Sequence, residues 1–302
     1  VLAAAKRPCN ELTMFRLNFD FKLVILIITI LLNLKLNAKD IELSINNASS
    51  ANDVYQYELL KMALARSNKS YRLQQRENKL NEAQLVHFVT NNQLDVIWVA
   101  TNQAYEEKML PIRVPLFKGL IGHRLFIIRQ GEQSQFSHIN TLNDLQQLKL
   151  GQGAMWADTK VLKSAGLNVV TTLKYENLFY MLDGGRFDMY PRGVHEPFEE
   201  VKRYAELPLV VEKDLLLVYP LAVYFFVSND NRQLAKEIET GLNAMIEDGT
   251  FDQYFYNYPM VHNALKLAKL GSRKKIFINN ANMSSKTPFN DERLWLDLKF
   301  IP

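Results

Sequence analysis

The stretch that most limits what this chain can fold into is residues 149–198, KLGQGAMWADTKVLKSAGLNVVTTLKYENLFYMLDGGRFDMYPRGVHEPF. Its spacing predicts strands over 149–152, 168–173 and 187–190, the last running into Pro191, Arg192 and Gly193, with helices over 156–165 and 175–182 between them. Strands alternating with short helices favour parallel pairing in an α/β unit. Ligands of open α/β sheets sit at the carboxyl ends of strands, where loops converge and helix N-termini point in. Residues 154–156 and 192–196 fall at that edge.

The same grammar governs the rest. A strand at 41–45 ends in Asn46, Asn47 and Ala48, and a helix capped in the 50–52 region follows, with Tyr55, Leu59, Leu60, Met62 and Ala63 on its inner face. A strand at 71–75, a helix at 82–91 and the apolar run LDVIWVA at 94–100 come next; such a run suits a strand buried on both faces. TNQAYEEK reads as a polar loop, PIRVPLFKG as extended chain with two prolines, 124–129 as a strand and 139–145 as a capped turn of helix. Beyond 198, 207–211 and 215–227 are rich in β-formers, and 232–247 is a long amphipathic helix closed by Asp248-Gly249. Helices at 251–258 and from Met260 to Leu270, then a strand at 275–278, complete the pattern. With 302 residues, 48% hydrophobic and 23% charged, the chain suits one large domain or two lobes with separate cores.

The N-terminal region has its own character. Arg16 and Lys22 precede an apolar run at 23–32, and Leu36-Asn37-Ala38 ends it, the pattern of a cleavable secretory signal peptide cut near Ala38. The alternative is an uncut membrane anchor, although a span needs roughly 20 apolar residues. Residues 1–13 precede a plausible start at Met14 and are set aside from the fold. The chain carries +4 formally; residues 1–38 hold five bases and two acids, so the rest carries about +1 (4 − 3), which argues against a nucleic-acid partner. Cys9 is the single cysteine and lies in the set-aside part, so no disulfide, zinc-thiolate, thiol nucleophile or lipidated cysteine is expected in the exported portion.

The order of these pieces resembles the type II periplasmic solute-binding proteins, in particular the amino-acid-binding branch that serves ABC transporters (solute-binding protein family 3). The matching stretches are LDVIWVA, Thr141-Leu142-Asn143-Asp144-Leu145, KLGQG, Gly185-Arg186-Phe187-Asp188 and LAVYFFVSNDNRQLAKEIETGLNAMIEDGTFDQYF, spread over about 220 residues. The resemblance implies an α/β fold of two lobes joined by two crossing hinge strands near 123–127 and 220–225. Lobe 1 would be 39–124 plus 223–302 with the C-terminal tail, and lobe 2 would be 125–222. A solute bound between them would draw the lobes together.

In that branch an arginine shortly after the LDVIWVA-type strand pairs with the ligand carboxylate, and an aspartate after the G-R-x-D strand pairs with its amine. Here the first position falls on Glu106 or Glu107 and the second near Arg192, so both signs are reversed. Arg192, a planar donor fork, suits a carboxylate or phosphate. Glu106 or Glu107 would then meet an amine, or Arg192 itself. The plainer alternatives are a pair between Arg192 and Glu196 or Glu199, and a solvated face for the two glutamates. Trp156, following Met155, can stack on a ligand or cation or serve the core, and Tyr190 and Tyr55 are similar candidates. Asn46 and Asn47 face the other way across the expected cleft together with Thr101 and Asn102, as ligand donors or as turn residues bonding their own backbone. His195 reads as a surface imidazole, and the five histidines show no metal-ligand spacing.

The expectation is therefore a monomeric periplasmic binding protein without cofactor or chemistry, which captures a small polar, zwitterionic or anionic solute and hands it to an inner-membrane ABC permease or receptor. The competing expectations are a dehydratase-like enzyme on the same fold, with Glu107, Glu196 or His195 as acid or base, and a sensory or scaffolding module with a degenerate cleft.

Overall fold

The computed structural model describes residues 40–296, so the signal-peptide expectation lies outside the described residues. Two sheets organise these residues. The first contains β1 (Ile41–Ile45), β2 (Tyr71–Gln75), β3 (Ile97–Ala100), β4 (Leu110–Ile112) and β11 (Val223–Val227). β1 pairs with β2 in parallel and meets the β3 segment through Ile45 and Val96; β11 runs antiparallel between β3 and β4. The resulting order is β2–β1–β3–β11–β4.

The second sheet contains β5 (His123–Arg129), β6 (Lys149–Gly153), β7 (Asn168–Thr172), β8 (Tyr190–Gly193), β9 (Leu209–Val211), β10 (Leu215–Val218) and β12 (Lys274–Phe277). β7 and β6 are parallel, and β6 meets the β8 segment through Leu150 and Met189. β8, β9 and β10 all pair antiparallel with β5, and β12 lies parallel to β10.

Helices cover both sheets because alternate residues of the inner strands are apolar on both faces. In β11, Val223, Phe225 and Val227 join one core while Tyr224 and Phe226 join another. The first of these cores takes α1 (Ala51–Leu64), α8 (Arg232–Glu247), α9 (Thr250–Asn257) and α10 (Pro259–Ala268); the second takes α2 (Glu82–Thr90). In β5, Phe126 and Ile128 face one core and Ile127 the other. α1 starts where Ser50 and Asp53 form a capping box, and Asn231 caps α8 by accepting from the Leu234 amide.

The chain leaves the first sheet after β4 and returns to it after β10. The two crossings touch: the Tyr219 amide donates to the Gly122 carbonyl at 3.0 Å. A Cβ on Gly122 would stand 2.1 Å from the Tyr219 carbonyl oxygen, so only glycine permits this approach.

Three elements differ from expectation. TNQAYEEK is α3 (Gln103–Lys108) rather than a loop, because the Asn102 side chain accepts from the Tyr105 amide and caps it. The third strand of the 149–198 stretch begins at Tyr190 instead of ending there, since pairing with β5 draws Pro191, Arg192 and Gly193 into the sheet. The tail does not stay with the first sheet: β12 crosses back to pair with β10, which the apolar alternation of a four-residue strand gives no means of foreseeing.

Candidate functional site

A cavity of about 350 Å³ opens where the carboxyl end of β3 faces the carboxyl end of β6. Its first wall is Thr101, Asn102 and α3, with Glu82 from the first turn of α2. The opposite wall is Met155, Trp156 and the first residues of α5 (Ala157–Ser164), including Lys160. Leu221, on the returning crossing, and residues 280–282 of the tail close the remainder.

Local chemistry sets these side chains. Trp156 lies over Gly153, where an added Cβ would come within 2.4 Å of the indole. Lys160 follows Trp156 by one helical turn and so shares its face. The Tyr105 hydroxyl donates to Glu82 Oε1 at 2.7 Å. Burial raises the Glu82 pKa and Asp158 adds to the rise, against the Tyr105 hydrogen bond and the charge of Lys160. Glu107 accepts from Gln103 Nε2 at 3.1 Å and is exposed. The wall therefore offers two carboxylates and one ammonium, with aromatic surface from Trp156 and Tyr105.

Of the residues singled out by sequence, the cavity gathers Thr101, Asn102, Glu107, Met155 and Trp156. Glu106 turns inward instead, accepting from Arg113 Nη2 at 2.7 Å and Thr101 Oγ1 at 2.8 Å. Asn46 exchanges hydrogen bonds with the Leu80 backbone, and Asn47 donates to the Arg76 and Glu77 carbonyls, so both serve turns. Tyr190 is fully buried in the second-sheet core, and Tyr55 is buried in the first-sheet core, donating to the Leu116 carbonyl.

Arg192 requires the largest correction. It is a strand residue, 5% exposed, and it does not line the cavity. Nε and Nη2 donate to Glu200 at 2.8 and 2.6 Å, and Nη2 donates to Glu196 at 2.8 Å. Trp156, Tyr175 and Tyr190 surround the guanidinium at 5.0 to 5.6 Å from their ring centroids. Burial opposes its charge, and Glu196 and Glu200 more than offset that, raising its pKa well above the ordinary value. Next to it, buried Arg124 pairs with Asp158, which also accepts from the Tyr219 hydroxyl at 2.6 Å, and lies 3.7 Å from Glu196. Two guanidinium groups thus meet three carboxylates, Asp158, Glu196 and Glu200, which leaves no surplus positive charge here for an anionic ligand. His195 is also buried, not superficial; its ring stacks on Phe117 at 5.5 Å, and neither ring nitrogen has a hydrogen-bond partner among the described residues.

Sequence reasoning missed Glu82, Tyr105, Lys160, Asn280 and Asn282. Only Lys160 carried a local signal, its four-residue spacing from Trp156. Among the described residues no group of three or more His, Cys, Asp or Glu side chains is arranged to hold a metal ion, and no helix is long and apolar enough to cross a membrane.

No protein-family model matches the chain, and no curated protein matches it. Solved structures do. The probable amino-acid ABC transporter extracellular-binding protein ytmK from Bacillus subtilis superposes with a TM-score of 0.56 at 16% identity, over 74% of this chain and 99% of its own. An ancestral arginine-binding protein bound to arginine gives 0.52 at 16% identity, over 72% of this chain and 98% of its own. The amino acid ABC transporter substrate-binding protein AbpA from Streptococcus pneumoniae, bound to L-arginine, gives 0.52 at 13% identity, over 78% and 98%. At these identities the likeness establishes the fold, and the class it defines is the two-lobed type II periplasmic binding fold. Two of these three are described as binding proteins of amino-acid ABC transporters, and the third as an arginine-binding protein.

Proposed function

We propose that this chain is an exported, monomeric solute-binding protein that captures a small amino-acid-like solute between two lobes and presents it to a membrane transporter, without chemistry. The first lobe is built on the first sheet and the second on the second, with the hinge where Gly122 meets Tyr219. The observation that carries this reading is the cavity itself: on a fold shared with amino-acid-binding proteins, it lies between strand ends of both sheets and bears charges of both signs. Its volume of about 350 Å³ is at the small end of ligand pockets, which span roughly 300–1,000 Å³.

The charges set an orientation. Glu82 and Glu107 meet the amine of the solute, and Lys160 meets its carboxylate, replacing the arginine expected from the amino-acid-binding branch. Glu82 suits this role because it is partly desolvated and, among the described residues, no cation lies within ion-pair distance of it. A melting-temperature screen over amino acids, polyamines and organic anions tests the reading. A solute at 100 times its Kd stabilises by about 2.7 kcal/mol, hence roughly 5 °C or more for a chain of this size. A zwitterionic or amine-bearing compound is expected to give such a shift; a screen in which nothing shifts removes the transport reading.

One observation favours a second reading, a sensory or scaffolding module with a degenerate cleft. The paired Arg192, Glu196 and Glu200 occupy the strand end at which the resembled branch would hold its ligand amine. A screen without hits combined with capture of a folded partner would favour it.

A further inference from the structure

The tail does more than pack on a finished fold. Lys274–Phe277 lies on β10, and the Ile278 amide continues that pairing by donating to the Val218 carbonyl at 3.0 Å. The chain then crosses over the returning hinge segment, where Asn280 Nδ2 donates to the Pro220 carbonyl at 2.9 Å and Asn280 Oδ1 accepts from the Asn282 amide at 3.0 Å. It lands on the first-sheet side, where the Gln103 amide at the start of α3 donates to the Asn282 carbonyl at 2.8 Å. Farther on, Leu294 enters the first-sheet core and the Leu296 amide donates to the Lys118 carbonyl at 2.8 Å. One segment is thus anchored to both sheets, and between its anchors Asn280, Ala281 and Asn282 form part of the cavity wall.

We propose that residues 278–283 are a strap that forms the third wall of the solute site and must detach from α3 before a solute can enter or leave. The proposal rests on the reading of this cavity as the solute site. A wall spanning both sheets has to yield when the sheets separate. Its hold on α3 is one backbone hydrogen bond at the first residue of a six-residue helix, beside which Met283 packs partly buried on the first-sheet side, whereas the β12 end is held by a strand ladder and the far end by the core. Asn280 and Asn282 also place amide groups beside the solute, where they add uncharged donors and acceptors to the charged pair on the other walls.

Gln103→Pro tests this directly. Gln103 is the first helical residue after the Asn102 cap, and Asn102 is already extended, with φ −152° and ψ 163°. Proline is tolerated at such a position; it removes the N–H that holds the strap, together with the exposed side-chain bond from Gln103 Nε2 to Glu107, which Gln103→Ala removes alone and so controls for. The readout is the labelling rate of a cysteine placed by Val161→Cys, a buried cavity-wall position, with Cys9→Ser and a small methanethiosulfonate reagent. Labelling is expected to rise roughly tenfold in Gln103→Pro, the factor that the loss of one ordinary hydrogen bond gives, and at least as much in Asn280→Ala, which loses the bonds to the Pro220 carbonyl and the Asn282 amide. Amide exchange along Leu215–Val218 should stay slow in both. An unchanged labelling rate in both variants overturns the proposal. So does a faster rate accompanied by lost protection along that strand, because the tail would then be a clasp of the sheet and not a gate. Since the assay contains no solute, a failed solute screen and a failed strap are separate results.

Discussion

The Arg192 guanidinium grips the Glu200 carboxylate through both Nε and Nη2, at 2.8 and 2.6 Å, inside the second-sheet half. That pair converts an expected anion receptor into a structural element. The side chains of both residues are 7% exposed, so removing the arginine strands a buried carboxylate. Arg192→Ala is expected to lower unfolding stability by about 3–5 kcal/mol, read by urea denaturation. Replacing Arg192 and Glu200 together by leucine should recover most of the loss. Destabilisation under 1 kcal/mol or so in the single variant would mean the pair is solvated in solution.

A second prediction concerns pH. Burial lowers the His123 pKa to about 4, and burial together with the charges of Arg124 and Arg192 lowers that of His195 to about 3. Both depressed values lie below the unfolded value of about 6.5, so between these limits the unfolded chain binds protons that the folded chain does not. Stability from these groups is therefore complete above pH 6.5 and falls as the pH drops toward 4, by about 1.4 kcal/mol per pH unit for each histidine. His195→Phe keeps the stacking on Phe117 and removes one proton site. Urea unfolding at pH 7 and pH 5 should show a shallower acid loss in that variant; an identical slope would place His195 in contact with solvent.

The crossing point supplies a third. Gly122→Ala puts a methyl group against the Tyr219 carbonyl, where the two hinge segments meet. The expected cost is about 1–3 kcal/mol of overpacking, with a lower melting temperature. A variant as stable as the parent would show that the two segments separate readily.

How much of this could be read in advance follows from the range of each interaction. α8 was legible because its cap, its apolar stripe of Leu234, Ile238, Leu242 and Met245, and its closing Asp248-Gly249 are all local. Helix α3 was not, since its polar residues show no apolar period and only the Asn102 cap betrays it. Among site residues, Trp156 and Thr101 follow strand ends, which the pattern locates. The fate of Arg192 depended on Glu200, eight residues on, reaching back after Pro197 opens a helix, and on β8 pairing with β5. Asn280 and Asn282 reach the cavity only because β12 pairs with β10, a contact between residues some sixty apart in the chain.

The proposed solute site is the cavity between β3 and β6, with an amine-bearing zwitterion held between Glu82 and Lys160. Its test is calorimetric titration of the compound that most raises the melting temperature, into the parent chain and into Glu82→Gln and Lys160→Ala. One-to-one binding is expected in the parent, with affinity reduced about tenfold or more in each variant, the effect of losing one charge-assisted contact. Unchanged affinity in both variants would mean that the solute binds elsewhere.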